Sequence, residues 1–211
     1  MAAMPLLLGF SDASVPRSRR QGSASATLCE GLLGHRRETL AGPMRVTYHG
    51  FTTVASMEIV GMLLQLRMAN NLFEATGNAG PAGATGPRVT LRGPGPRVTL
   101  RCNCDNMLAV RTATEETPES LRAMGAPHLV PMRALLLRQR DALILLGVEI
   151  EFWVPGRGRN SRGIRENDAV ARGGSVQDED LPAEIAAALG LVAAEIDAAD
   201  HRERRVMLEQ Y

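Results

Sequence analysis

The chain of 211 residues contains no lysine, and all 24 of its basic residues are arginine. That absence excludes the phosphate-binding loop whose lysine reaches the β- and γ-phosphates, and the protein kinases with their strand lysine. It also excludes Schiff-base and pyridoxal-phosphate enzymes, which need a lysine amine. Aromatic residues are scarce: four Phe, two Tyr and one Trp. A core must therefore be built from Leu, Val, Ile, Met and Ala. Three cysteines, Cys29, Cys102 and Cys104, cannot form an even disulfide framework, so a reducing compartment or the interior of a particle is expected. No apolar run reaches the length of a membrane helix. The longest candidate, Met132 to Val154, is broken by Arg133, Arg138, Arg140, Asp141, Glu149 and Glu151.

What is present divides unevenly along the chain. Residues 1–43 have the composition of a flexible N-terminal arm: Ser, Ala and Arg dominate from Ser11 to Ala26, a pattern also weakly like that of a transit peptide. A mixed core is expected over 44–155, beginning with an alternating strand at Arg45–His49. Ser56 stands where a helix N-cap belongs, and Glu58 where a first-turn carboxylate suits the helix dipole. Ile59, Met62, Leu66, Ala69 and Phe73 then recur at helical steps, with Val60, Leu63 and Leu64 widening the apolar face, and Gly77 offers a stop. Residues 77–87 place glycine at every third position, which reads as a loop rather than a triple helix.

An internal repeat follows. The heptapeptide from Gly86 to Arg92 recurs unchanged from Gly95 to Arg101, with Gly93 and Pro94 between the copies. Each copy alternates, so the pair predicts a hairpin with Val and Leu on one face and Arg88, Arg92, Arg97 and Arg101 on the other. Thr117-Pro118-Glu119-Ser120 opens a short helix. A longer helix runs from Pro131 to Leu146, with Met132, Leu135, Leu136, Leu143 and Leu146 on its buried stripe. Gly147 ends it, and a strand runs from Val148 to Val154. Residues 156–179 read as a mobile Arg/Gly-rich loop. Residues 180–211 read as a C-terminal helix capped by Asp180, whose Ile185, Leu189, Val192 and Ile196 pack on the body or pair with a second copy. The fold class expected is α+β: one small mixed domain with three or four helices and a repeat-derived hairpin.

No catalytic constellation emerges from spacing alone. Cys102 and Cys104 lie one residue apart, closer than the usual zinc spacing, and no second pair accompanies them. They read as small hydrophobes at a strand end. Ser161 lacks the nucleophile-elbow spacing, and Glu149 with Glu151 reads as surface charge facing arginines. No metal ligands and no cofactor are assigned. The working surface is expected at Arg157, Arg159, Arg162 and Arg165 in the loop and at Arg88, Arg92, Arg97 and Arg101 in the repeat, where guanidinium forks suit phosphates or a partner's carboxylates. The function expected is that of a non-enzymatic structural or assembly component of a larger complex, such as a virion, with other protein chains as partners and no membrane. The alternative is a nucleic-acid-binding accessory protein that uses the Arg-rich loop.

Overall fold

The structure is a computed structural model, described here for residues 6–31, 38–77, 98–155, 162–173 and 176–209. Six strands form one mixed sheet: β1 Leu6–Ser14, β2 Gly22–Gly31, β3 Glu38–Tyr48, β4 Val98–Asn103, β5 Val148–Trp153 and β6 Asp178–Glu179. Their order across the sheet is β5-β4-β1-β2-β3-β6. The first three strands form an antiparallel meander, whereas β4 runs parallel to β1 and β5 parallel to β4. Helices α1 Val54–Gly77, α2 Met107–Thr114, α3 Pro118–Ala123, α4 Val130–Leu145, α5 Arg162–Ala171 and α6 Ala183–Glu209 complete the described residues, with a 3-10 turn at Pro127–Leu129. The architecture is mixed α/β. Its parallel strands replace the expected hairpin-based sheet.

The flexible arm expected at 1–43 is the largest correction. Two of its segments are β1 and β2, which occupy the middle of the sheet. Their sequences look disordered because they are small and polar, but small side chains are what this position needs. Ala24, Ala26 and Leu28 are fully buried in the main core, whose largest contributor is α1. On the alternate positions, Ser23 and Ser25 donate hydroxyl hydrogen bonds to the α5 backbone carbonyls of Ala171 and Asn167. Ser25 and Thr27 also donate to the Asn167 side-chain oxygen, at 3.1 and 3.3 Å. A strand covered by a helix on each face has no solvent side, so it shows no alternation of apolar and polar residues. Hydroxyls that would mark a loop are here satisfied by a helix backbone.

Close approach governs both helix contacts. A Cβ on Gly163 of α5 would sit 2.6 Å from the Phe10 ring, and one on Gly61 of α1 would sit 2.7 Å from Ser11 Cβ. Gly61→Ala should gain helix propensity, worth roughly 1 kcal/mol in an open helix. It should nevertheless lower stability by about 1–3 kcal/mol, because the atom it meets is the rigid base of a side chain on a central strand. Denaturant midpoints measure the balance; a more stable Gly61→Ala variant would refute the tight α1–β1 contact.

Helix α1 is buried over most of its first half, with Met57, Ile59, Val60, Met62, Leu63 and Leu64 fully inaccessible, as its broad apolar face predicts. Its cap lies three residues earlier than expected. Thr53 Oγ1 accepts from the Ser56 N–H at 3.2 Å while Ser56 Oγ accepts from the Thr53 N–H at 3.0 Å, a reciprocal capping box. Glu58 is consequently displaced from the first turn into the helix body. Thr117 caps α3 as predicted, and Ser120 completes a capping box with it. The α4–Gly147–β5 unit also matches, with Gly147 at a φ of +84°, although Leu146 is exposed rather than part of the stripe. Helix α6 begins at Ala183, so Asp180 is not its cap. Ile185, Leu189 and Val192 are buried, and Glu184 accepts from Arg138 and Gln139 of α4, so the helix packs on the body.

Two further expectations change. The second repeat copy supplies β4, but β1 and β5 occupy both of its edges, so no hairpin with the first copy is formed there. The first copy, with Arg88 and Arg92, lies outside the described residues, as does Arg97. Within the expected loop at 156–179, α5 is an ordered helix that covers β1 and β2. Among the described residues, no helix is long and apolar enough to cross a membrane.

Candidate active site

Three carboxylates meet at one end of the sheet. β1 and β4 are parallel, and their register pairs Phe10 with Asn103. Asp12 and Asp105 each follow that pair by two residues, so topology alone brings them side by side. Such C-terminal ends of parallel strands are the usual place for sites in open α/β sheets. Glu58 reaches the same point from α1. One oxygen from each of Asp12, Glu58 and Asp105 lies within 4.8 Å of the others. Asp12 and Glu58 are buried, at 7 % and 2 % exposure, while Asp105 is open to solvent.

Local structure holds each group. Asn106 caps α2 by accepting from the Ala109 N–H at 3.0 Å, which fixes the turn carrying Asp105. The Asn103 side-chain amide donates to the Gly9 carbonyl at 2.8 Å, locking the ends of β4 and β1 together. The Cys104 thiol donates to Glu58 Oε2 at 3.5 Å. A recess of about 330 Å³ opens over the carboxylates and is also lined by Arg165, Asp168 and Arg172 of α5. Asp168 is a further acid whose charge acts on Asp12 and Asp105. It forms an ion pair with Arg172 at 2.7 Å.

The electrostatics are those of crowded anions. Burial raises the Asp12 carboxyl above the usual aspartate range, and the charges of Asp105 and Asp168 add to the effect. Burial likewise pushes Glu58 well up, reinforced by Asp12 and Asp105. Asp105 is raised by desolvation and then by Asp168. The Cys104 thiol is held far above its ordinary value, first by burial and then by the Glu58 charge, so it is a neutral donor. None of the ion pairs among the described residues involves Asp12, Glu58 or Asp105. Placing three acids together with none of them in an ion pair is costly, and a divalent cation would offset that cost. Hard carboxylate oxygens suit magnesium or manganese.

This cluster overturns the expectation of a non-enzymatic assembly or virion component, which rested on finding no site. It also gathers three acids that could hold a metal ion, a group the sequence reading did not single out. Neither Asp12, Glu58 nor Asp105 stands out by spacing, because the three come from separate elements. The available signals were an Asp near the end of β1, an Asp two residues beyond β4 and a Glu flanked by Met57 and Ile59 in an apolar helix. Of the arginines singled out, Arg165 lines the recess, and Arg162 lies one turn earlier, paired with Glu166. Arg101 is on β4, paired with Glu151 at 2.7 Å, which also places one of the two strand glutamates opposite an arginine. Arg157 and Arg159 lie outside the described residues. Cys102 and Cys104 are buried in the main core, and Cys104 in addition touches the acidic cluster.

No family model and no curated protein sequence matches the chain. Among solved structures it is similar to the N-terminal RNase H domain of a Mycobacterium tuberculosis protein, at 18 % identity and a TM-score of 0.46, covering 80 % of this chain and 97 % of that one. It is also similar to an RNase H1 isolated from compost, at 13 % identity and a TM-score of 0.47, with the same coverage. Prototype foamy virus protease-reverse transcriptase matches at 11 % identity and a TM-score of 0.42, and this chain spans 21 % of that protein. Likenesses at this level carry no functional weight by themselves.

Proposed function

We propose that the chain is a metal-dependent nuclease of the ribonuclease H kind, hydrolysing phosphodiester bonds in nucleic acid. The observation that carries this reading is the convergence of Asp12, Glu58 and Asp105 within 4.8 Å at the ends of β1 and β4. Those three residues would hold the cation, which when bound polarises a phosphoryl oxygen and lowers the pKa of a coordinated water. The protein's own part is to hold three acids in place against their mutual repulsion. Buried Asp12 and Glu58 are fixed by packing, whereas exposed Asp105 faces the recess where a phosphodiester must enter. Arg172 keeps Asp168 oriented beside the cluster, and Arg165 supplies a guanidinium at the rim suited to a neighbouring phosphate. Arg165 thereby keeps the nucleic-acid part of the alternative reading, now as substrate contact rather than accessory binding.

End-labelled RNA–DNA hybrid, single-stranded RNA and duplex DNA, each incubated with magnesium or manganese and with excess chelator, test the proposal. Cleavage of at least one substrate is expected with the cation and none with the chelator. Asp105→Asn should suppress the same cleavage by at least about 10²-fold. Cleavage that survives the chelator, or that Asp105→Asn leaves intact, would refute the assignment, as would the absence of cleavage on every substrate.

A further inference from the structure

A second recess, of about 460 Å³, lies beside β5, the end strand of the sheet, and is lined by Arg101, Ile150, Phe152, Trp153, Ala113 and Arg140 among others. Trp153 is half exposed, at 50 %. Its position is nonetheless well defined. The Arg101 guanidinium carbon lies 5.3 Å from the centroid of the indole, and Arg101 is itself held by Glu151 at 2.7 Å. The indole is thus braced by a cation on one side and open to water elsewhere. An aromatic ring restrained by a neighbouring cation gives up less side-chain freedom when it stacks.

Its place in the fold ties it to the carboxylates. Trp153 is the register partner of Asn103 across the β4–β5 pair, and its carbonyl accepts from the Cys104 N–H at 3.1 Å. Asp105 is the next residue along. Trp153 thus stands at the end of the strand adjacent to the one that leads to Asp105. We propose that Trp153, braced by Arg101, is a stacking subsite for an unpaired nucleobase of the substrate, next to the cleavage site. The subsite rests on the nuclease reading above. Stacking on an aromatic ring is tolerant of base identity, so it selects for a single-stranded or unpaired segment rather than for a sequence. Arg140, which also lines the recess, pairs among the described residues with its exposed neighbour Asp141, a contact weak enough to exchange for a phosphate.

Trp153 is the sole tryptophan of the chain, so its fluorescence reports on this subsite alone. The experiment uses the full chain carrying Asp12→Asn, which preserves the substrate, with RNA–DNA hybrid duplexes that are either blunt or extended by a short single strand. The extended probe should quench the tryptophan emission and the blunt one should not. In anisotropy titrations Trp153→Ala should bind the extended probe about tenfold more weakly and the blunt probe as before. Trp153→Phe, which keeps a ring, should recover most of the loss and guards against a folding defect. Equal quenching by both probes, or undiminished binding by Trp153→Ala, overturns the subsite. If the parent chain cleaves the extended hybrid but shows no quenching with Asp12→Asn, the subsite fails and the nuclease reading stands. If no probe binds or is cleaved, both fail.

Discussion

Glu58→Gln is expected to reduce phosphodiester hydrolysis by about 10³-fold or more while leaving the protein at least as stable as before. The two effects have one cause. Glu58 is 2 % exposed in the body of α1, close to Asp12 and Asp105, where burial and like charge both disfavour its anion. Without a cation, burial and the neighbouring acids favour the protonated carboxyl, and a glutamine of the same shape replaces it without burying a new charge. Its side-chain oxygen can still accept from Cys104. With a cation the anion is the required form, and an amide cannot supply it. A 10³-fold loss corresponds to roughly 4 kcal/mol of transition-state stabilisation. Initial rates under saturating magnesium, with thermal melts in chelator, measure both halves. A Gln variant that hydrolyses at the parent rate would remove Glu58 from the site, and one that fails to fold would contradict its neutral state.

The second large effect is a coupling between pH and divalent cation. Asp12 and Glu58 both hold their protons to higher pH in the folded state than in the unfolded chain. Below the ordinary carboxylate range both states are protonated, and the contribution of these groups to stability is fully present. As pH rises, the unfolded chain releases these protons first, so the folded state binds more protons and stability falls with pH. The loss continues on the alkaline side of neutrality, because Glu58 is the more strongly raised of the two. By about pH 8 it should amount to a few kcal/mol, on the scale of roughly 1.4 kcal/mol for each unit of pKa shift. Magnesium binds only the folded, ionised cluster and should reverse the loss, by about 2.7 kcal/mol at a hundred times its dissociation constant. Denaturant midpoints from pH 5 to about pH 9, with magnesium and with chelator, should diverge as pH rises. Curves that stay parallel would mean that the carboxylates are not the cation site, and Glu58→Gln should bring them closer together.

Parts of this protein are legible in one dimension because their physics is local. The cap at Thr117, the helix stop at Gly147 and the alternation from Val148 onward each depend on residues a few positions apart. The apolar breadth of α1 likewise announces burial on more than one side. The run from Ser11 to Ala26 fails as a local signal, since Ser and Ala mark both solvated arms and strands squeezed between two helices. Only the helix supplies the difference: Ser23 and Ser25 find acceptors on α5, far along the chain. The acidic site is less visible still. Nothing periodic connects Asp12, Glu58 and Asp105, and Glu58 alone resembles an ordinary first-turn acid.

The lack of lysine, by itself, excluded several kinds of chemistry and left guanidinium groups as the only side chains of permanent positive charge. The sequence by itself also determined most of the helices, because capping and apolar spacing act over one or two turns. Only the tertiary structure decided that β1 and β4 run parallel with Phe10 beside Asn103. That register sets Asp12 against Asp105 and brings Glu58 over both. The energy of such a site lies in repulsion and burial between residues that meet only once the sheet has formed.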